Sequence, residues 1–188
     1  LEASGVYADG RPRATHSYGK HVHVPGLGIV MALHGGGFTN ATPSPKFVWF
    51  LNPVTNEWEW KSTATSPVVT YSNSSYASFD KTRGCIYLQV DGTSPLLRLD
   101  LTNWTYNNVS ANVIGSTGYT SNIYIAEHDV CFQACSYWAN KFCIKDIVTG
   151  LIHQPTTTGT AQTIGGETGQ CWVPGVGMVF MIGKSLWK

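Results

Sequence analysis

The sequence contains few charged residues and no long apolar segment. Charged residues make up 12% of the 188 residues, about half the usual share in a soluble domain, and the formal net charge is +1. Lysine and arginine are scattered, so no basic patch indicates nucleic-acid binding. No apolar run approaches the roughly 20 residues that a bilayer-spanning helix needs. The length fits one domain with a proper core, and neither nucleic acid nor membrane insertion is expected.

Motifs of catalysis and metal binding are also missing. The sequence has no G-x-S-x-G, no H-E-x-x-H and no phosphate-binding loop. It has no C-x-x-C pair, which argues against zinc. The aspartates lie mostly at repeated turn positions, which indicates turn capping rather than the paired carboxylates of a glycosidase. We therefore predict a non-catalytic protein without a cofactor.

The five cysteines leave two interpretations open. They are Cys85, Cys131, Cys135, Cys143 and Cys171. In the first interpretation they are buried thiols that act as small hydrophobic side chains. In the second, a disulfide such as Cys135–Cys143 joins neighbouring strands.

What the sequence does contain is typical of an all-β protein with many turns. Aromatic residues make up 12%, glycine occurs 20 times, and serine, threonine and asparagine are abundant. A disordered chain would have far fewer aromatics. Hydroxyls and amides, rather than charges, would keep such a surface hydrated.

A unit of strands and turns occurs four times along the chain. The copy at residues 22–60 reads HVPGLGIVMALHGGG, then a loop, then KFVWFLNPVTNEWEW. Weaker copies read SYASFDKTRGCIYLQVDG with LLRLDLTNWTY, SNIYIAEHDVCFQACSY with KFCIKDIVTGLIH, and GQCWVPGVGMVFMIG with SLWK. The turn markers Asn52, Asp100 and Asp146 are 48 and 46 residues apart. Such a period predicts a repeat architecture.

We predict a β-propeller of four-stranded antiparallel blades, about four of them in this chain. A four-stranded sheet has two apolar faces, and neighbouring sheets arranged around an axis bury both. The alternative is a β-sandwich whose strand–turn–strand units are similar by accident. The predicted blades span approximately residues 14–61, 75–110, 118–154 and 169–188, and residues 1–8 are a candidate strand to complete the last blade.

The number of blades in the whole propeller is open at this stage. A compact ring of four blades is one alternative. The other is a segment of a propeller with six to eight blades, which the missing initiator Met and the abrupt end at SLWK favour.

The repeat resembles that of kelch proteins. DGRPRATHSYGKHVHVPGLGIVMALHGGG is similar to the start of a kelch repeat, with Arg and His before a strand and a glycine pair after the next. NPVTNEW is similar to the later half, where an Asx turn leads to an indole. The match weakens along the chain, because Cys135-Ser136 replaces the diglycine and Ile152 replaces the Trp in the third unit. The resemblance implies a kelch or galactose-oxidase-type propeller, whose repeat motifs carry no catalytic residues.

Candidate binding residues lie in loops on one face of the predicted propeller. Exposed aromatic rings among hydroxyls and amides suit glycans, and the same loops also suit a protein partner. The alternative is that these loops are solvated and bind no partner. The candidates are His34, Phe38, Asn40, Asp91, Tyr137 and Trp138.

The sequence contains two further classes of candidate site, for glycosylation and for metal binding. Asn40, Asn73, Asn103 and Asn108 lie in Asn-x-Ser/Thr sequons and would carry glycans in a eukaryotic secreted protein. His21 and His23 share a face of a predicted strand and could hold a metal, although ordinary strand histidines are the simpler interpretation.

The predicted function is a non-catalytic binding or assembly module with a protein or glycan partner. Low charge with abundant Thr, Ser and Asn favours an extracellular or virion-surface setting, such as a viral tail or surface protein or a secreted lectin-like protein. The alternative is a secreted propeller enzyme, either a copper-radical oxidase or a glycan-active one, whose active site is incomplete here. An intracellular adaptor, with reduced thiols and no glycans, is a third class.

Overall fold

The computed structural model describes residues 11–12, 21–31, 47–64, 76–89, 95–110, 120–135, 141–156, 169–182 and 185–187. All extended regular elements in these ranges are β-strands. Within the same ranges, no helix is long and apolar enough to cross a bilayer.

The strands form four sheets that follow one another along the chain. Sheet 1 contains β1 (His21–Val24), β2 (Gly28–Met31), β3 (Phe47–Asn52) and β4 (Glu57–Ser62). Sheet 2 contains β5 (Tyr76–Asp80), β6 (Cys85–Gln89), β7 (Leu96–Asp100) and β8 (Thr105–Ser110). Sheet 3 contains β9 (Thr120–Ile125), β10 (Val130–Cys135), β11 (Lys141–Asp146) and β12 (Ile152–His153). Sheet 4 contains β13 (Gly169–Val173), β14 (Gly177–Ile182) and β15 (Ser185–Trp187).

Each sheet is a simple antiparallel meander in which sequence neighbours pair. The segment SLWK contains β15, which pairs with β14. Sheet 4 has three strands within the described ranges, and the predicted strand at residues 1–8 lies outside them.

Asx side chains cap the turns between the third and fourth strands, as their repetition predicts. Oδ1 of Asn52 accepts a hydrogen bond from the Val54 N–H at 2.9 Å. Oδ1 of Asp100 accepts one from Thr102 at 2.8 Å, and Asp146 has the same geometry with its own following residues. A side-chain acceptor that mimics a backbone turn fixes each hairpin locally.

These turns end in a left-handed residue, four positions after the Asx. The three residues are Asn56 (φ 56°), Trp104 (φ 56°) and Gly150 (φ 72°). A type I turn followed by such a residue is a common hairpin connection. The equivalent positions tolerate three different side chains because the turn, rather than glycine alone, sets the conformation.

The four sheets are arranged side by side through their first strands. β1 contacts β5, β5 contacts β9, and β9 contacts β13. Each sheet therefore has a preceding face, turned toward the sheet before it, and a following face, turned toward the sheet after it. In β6, Ile86 and Leu88 lie on the preceding face with the core shared with sheet 1. Cys85 and Tyr87 lie on the following face with the core shared with sheet 3.

This arrangement is that of blades in a β-propeller, and the predicted fold class is confirmed. Four successive sheets with both faces of the inner ones covered are incompatible with the two-layered β-sandwich alternative. The packing explains why β6 is buried along its whole length. A strand covered on both sides has no polar face to alternate with the apolar one.

Candidate functional site

The six predicted loop residues lie outside the described residues, so their prediction is untested. They are His34, Phe38, Asn40, Asp91, Tyr137 and Trp138. The sequon residue Asn73 also lies outside these ranges.

Two predicted glycosylation residues are described, and both are exposed. Asn103 lies in the turn between β7 and β8, where its Oδ1 accepts a hydrogen bond from the Thr105 N–H at 3.1 Å. Asn108 lies on β8, the outermost strand of sheet 2. Their accessibility is compatible with glycans, and glycosylation stays a prediction.

The histidines of β1 share one exposed face, as the alternation predicts. His21 and His23 are exposed, whereas Val24 is buried against sheet 2. Within the described ranges, no group of three or more His, Cys, Asp or Glu side chains has a geometry suited to a metal ion. The geometry of β1 therefore lends no support to a metal site there.

Sheet 1 has a preceding face that none of the described sheets covers. Val30 and Phe50 belong to its other face, in the core shared with sheet 2. The strand register places the residues of the preceding face together, and we call this set the open face: His21, His23, Ile29, Trp49, Leu51, Trp58 and Trp60.

The open face presents apolar surface to solvent. Trp60 is 53% exposed and Ile29 is 40% exposed. Leu51 and Trp58 are half-buried, and Trp49 is buried opposite Trp60 in the β3–β4 ladder. Large apolar side chains gathered on one exposed face of a sheet are typical of an interaction surface.

The register identifies the open face as the counterpart of a buried face in sheet 2. Leu51 and Trp58 pair directly, and both have equivalents in the pair Leu99 and Tyr106. Leu51 and Leu99 each precede the Asx that begins the same turn. Leu99 and Tyr106 are buried in the core shared with sheet 1. Leu51 and Trp58 are thus only half-buried at positions that a neighbouring sheet buries in sheet 2.

The interface between sheets 2 and 3 is polar at its centre, unlike its neighbours. Lys145 on β11 is only 1% exposed, and its Nζ donates a hydrogen bond to Oε1 of Gln89 on β6 at 2.7 Å. Tyr87 and Tyr124 lie against each other across the same interface, with ring centroids 5.1 Å apart. The interface between sheets 3 and 4 instead contains a cluster of phenylalanines.

Two buried amides occupy the same face of sheet 3. Asn122 and Gln133 are directly opposed on β9 and β10. Neither the amide group of Asn122 nor Nε2 of Gln133 has a hydrogen-bond partner. Oε1 of Gln133 accepts a hydrogen bond from Sγ of Cys143 at 3.5 Å. Buried polar atoms without partners cost free energy, so these two amides contribute less to the interface than apolar side chains would.

A charged cluster joins the β5–β6 turn of sheet 2 to the β9–β10 turn of sheet 3. The guanidinium of Arg83 donates to both carboxylate oxygens of Asp129, at 2.7 Å to Oδ1. It also donates to Oδ2 of Asp80 at 2.9 Å, while Tyr124 Oη donates to Asp129 at 2.9 Å. The hydrogen bonds from Arg83 lower the pKa of Asp129 below its usual range. This bidentate pair is an inter-sheet clamp.

The four cysteines whose side chains the structure describes give no sign of nucleophilic chemistry, and the side chain of Cys135 lies outside the described residues. Cys85, Cys131 and Cys143 are buried thiols, and Cys171 is an exposed one. The alternative disulfide Cys135–Cys143 is therefore wrong, because the Cys143 sulfur is a hydrogen-bond donor to Gln133. Burial raises the pKa of Cys85 and Cys131, which keeps both sulfurs protonated. The prediction of small buried hydrophobes holds for these three and is wrong for Cys171.

Sequence reasoning missed the open face, the buried lysine and the clamp. The signal for the lysine was present, since Lys145 occupies the position before the Asx that Leu51 and Leu99 occupy in the other copies. Arg83 and Asp129 lie in the turns before the second strands of adjacent units, and that shared location was the available signal for the clamp.

Comparison with known proteins finds similarity among solved structures. No protein-family model matches this sequence, and no curated protein matches it. Among solved structures, the chain is similar to the crystal structure of TolB from Acinetobacter baumannii, with 15% sequence identity and a TM-score of 0.49. The similar region covers 88% of this chain and 41% of that chain. Similarity at this level carries no inference, so the function must be argued from the described residues.

Proposed function

We propose that this chain is a non-catalytic β-propeller module of kelch type that acts by binding a protein partner through the open face of sheet 1. The observation that supports it is the 40% exposure of Ile29, whose counterpart Ile86 in sheet 2 is completely buried. Burial of apolar area is the main favourable term in such an association. An extracellular or virion-surface setting belongs to the same proposal and is supported by the composition alone.

A protein fits the open face better than a glycan does. Glycan recognition needs exposed ring faces surrounded by hydrogen-bonding groups. Of the three tryptophans on the open face, only Trp60 is largely exposed, and it pairs directly with the apolar Trp49. Glycan recognition, if this protein has it, belongs to the loops predicted from the sequence.

The proposed kelch type is supported by the meandering sheets and the Asx turns, which match the pattern expected from NPVTNEW. The enzyme alternative gains no support from the described residues. Their buried thiols have raised pKa values, and the carboxylate of Asp129 is engaged by Arg83.

A fluorescent apolar dye tests whether the open face binds apolar surface. At low protein concentration, the native chain should enhance the fluorescence of anilinonaphthalene sulfonate. The double variant Ile29→Lys/Trp60→Glu should lose most of that enhancement. Val54→Lys is the matched control, because Val54 is an apolar residue of the same sheet that is 91% exposed in a turn outside the open face. Equal enhancement by all three proteins would contradict the proposed surface.

A titration with oligosaccharides tests the choice of partner. We expect no change in tryptophan emission that depends on Trp60 when a panel of oligosaccharides is added. A saccharide response that Trp60→Ala abolishes would replace the protein partner with a glycan.

A further inference from the structure

We propose that the interface between sheets 2 and 3 contains a binding site for internal water molecules, formed by the side-chain amides of Asn122 and Gln133. We call these two side chains the amide site. Both lie on the preceding face of sheet 3, between two sheets that pack against each other inside the chain. The amide site is therefore separate from the open face and independent of its partner.

The amide site contains three buried polar atoms that no described group pairs. Asn122 is 5% exposed and Gln133 is 1% exposed. Within the described ranges, Nδ2 and Oδ1 of Asn122 and Nε2 of Gln133 have no hydrogen-bond partner. Nε of Arg98 has none either, but it belongs to the third strand of sheet 2. Buried polar groups in folded proteins are nearly always paired with protein or with ordered water, so these three atoms indicate a ligand that forms hydrogen bonds.

Both residues of the amide site are held by contacts that do not use these three atoms. Oγ of Ser78, across the interface, donates a hydrogen bond to the backbone carbonyl of Asn122 at 3.3 Å. Oε1 of Gln133 accepts a hydrogen bond from Sγ of Cys143 at 3.5 Å. These contacts fix the positions of the two residues and leave both NH2 groups available to a ligand.

The side chains next to the Asn122 amide are small. Ser78 bonds to its backbone, and the thiol of Cys131 lies beside the amide itself. Burial raises the pKa of that thiol, whereas Lys145 and the Asn122 amide lower it. A thiol is only a weak hydrogen-bonding group and cannot satisfy an amide. Polar partners beside small neighbours are the surroundings that a buried water requires.

The strand register brings the two amides within reach of one water molecule. Asn122 and Gln133 are directly opposed on β9 and β10. Opposed residues of an antiparallel pair have Cβ atoms about 4.5–5.5 Å apart, so their side chains are neighbours on one face. A water between them can accept a hydrogen bond from Nε2 of Gln133 and donate one to Oδ1 of Asn122. Nδ2 of Asn122 points away from Oδ1 and would donate to a second water.

The repeat places another unpaired amide at the same position of sheet 4. Asn122 lies three residues before the end of β9, and Gln170 lies three residues before the end of β13. Nε2 and Oε1 of Gln170 are also buried without a hydrogen-bond partner in the described part of the chain. In sheet 2 the position is Ala77, which packs on the apolar core shared with sheet 1. The interface between sheets 1 and 2 therefore provides an internal comparison without an amide.

The chemistry of the amide site favours water over an ion. Its two NH2 groups donate and its carbonyl oxygen accepts, so the ligand must both accept and donate hydrogen bonds. A halide cannot donate to Oδ1 of Asn122, and a metal cation cannot accept from an NH2 group. The ammonium of Lys145, which bonds to Gln89 in the same interface, also disfavours a cation. Water meets both requirements and carries no charge into the interface.

Magnetic relaxation dispersion of ¹⁷O-labelled water counts the water molecules that reside for long times inside the protein. The double variant Asn122→Leu/Gln133→Leu should hold at least one fewer such water than the native chain. We expect it to fold, because apolar groups of similar shape replace amides that have no protein partner. Asn108→Leu is the matched control, since Asn108 is an exposed asparagine of β8, and it should leave the count unchanged. Equal counts in all three proteins would overturn the inference.

Cross-relaxation between water and protein, measured by NMR, tests the native chain without any substitution. The NH2 protons of Asn122 and Gln133 should both show cross-peaks to water, with the sign that long-lived waters give. The backbone N–H of Ala77 should show none. Missing cross-peaks at either amide, or equal ones at Ala77, would overturn the inference. A saturable shift of the two NH2 signals during titration with sodium bromide would show an anion site instead and would also overturn it.

Discussion

The buried pair of Lys145 and Gln89 makes a testable prediction about the interface between sheets 2 and 3. Nζ of Lys145 lies 2.7 Å from Oε1 of Gln89, and both residues are almost completely buried. Gln89→Leu removes that acceptor from a buried ammonium. Hydrogen bonds to charged groups are worth about 1.5–3 kcal/mol, so we expect the variant to lose about 2 kcal/mol of unfolding free energy. For a chain of this length that corresponds to a fall in Tm of about 4–8 °C.

The Lys145 variant and the double variant complete a double-mutant cycle with Gln89→Leu. Lys145→Met leaves Oε1 of Gln89 without the lysine donor and should also cost about 1–3 kcal/mol. Gln89→Leu/Lys145→Met replaces both groups with apolar side chains of similar size, which is often neutral or stabilising. We therefore expect the double variant to lie within about 1 kcal/mol of the native chain, with a coupling energy of at least about 2 kcal/mol.

Urea denaturation followed by tryptophan fluorescence measures all four proteins, and equal slopes against urea show that the comparison is valid. Lys61→Met is the matched control, because Lys61 is an exposed lysine of β4. It should change stability by less than about 0.5 kcal/mol. Additive losses in the double variant would refute the reasoning, since they would mean that the two side chains act independently.

Three further predictions concern the clamp, the thiols and the core. Because hydrogen bonds from Arg83 lower the pKa of Asp129, the clamp stabilises the chain at neutral pH, and that stability is lost as pH falls through the lowered folded-state pKa of this carboxylate. In thermal melts from pH 2 to 7, Asp129→Asn should flatten the loss of stability at acid pH. It should lower the free energy of unfolding by at most about 1 kcal/mol at pH 7. An unchanged dependence of Tm on pH would contradict the clamp. In the native protein Cys171 should react with iodoacetamide while the buried thiols react only after unfolding, as followed by intact mass; fast alkylation of a buried thiol would contradict their placement. Leu99→Ala should cost about 2–5 kcal/mol in urea denaturation, against less than about 0.5 for the exposed Leu151→Ala, and similar losses would contradict the core.

Local features of the fold were predictable because local chemistry produces them. The Asx turns at Asn52, Asp100 and Asp146 depend on a side chain and the backbone two and three residues on. The strands on either side of each turn are apolar runs of strand length, and their pairing follows from the hairpin. The repeat of these hairpins is visible in the sequence, so the all-β class and the antiparallel blades could be predicted.

The polar interface between sheets 2 and 3 was not predictable in the same way. Gln89 and Lys145 are 56 residues apart, and each is unremarkable in its own strand. The comparison of repeat copies shows that Lys145 replaces a leucine, but the acceptor that satisfies it comes from another sheet. The clamp was equally hard to predict, because Arg83 and Asp129 come from different sheets and are 46 residues apart in the sequence.

The sequence by itself determined the repeat, the strands, the turns and the two-faced alternation of each sheet. All of these depend on neighbours a few residues away, where the period of two along a strand and the capping of a turn act directly. Only the tertiary structure decided which face of each sheet meets another sheet and which meets solvent. Ile29 and Ile86 have the same place in the repeat, yet one is exposed and the other buried. The reason is that burial depends on the neighbouring sheet, which local sequence does not encode, and sheet 1 has a neighbour on one side alone among the described strands.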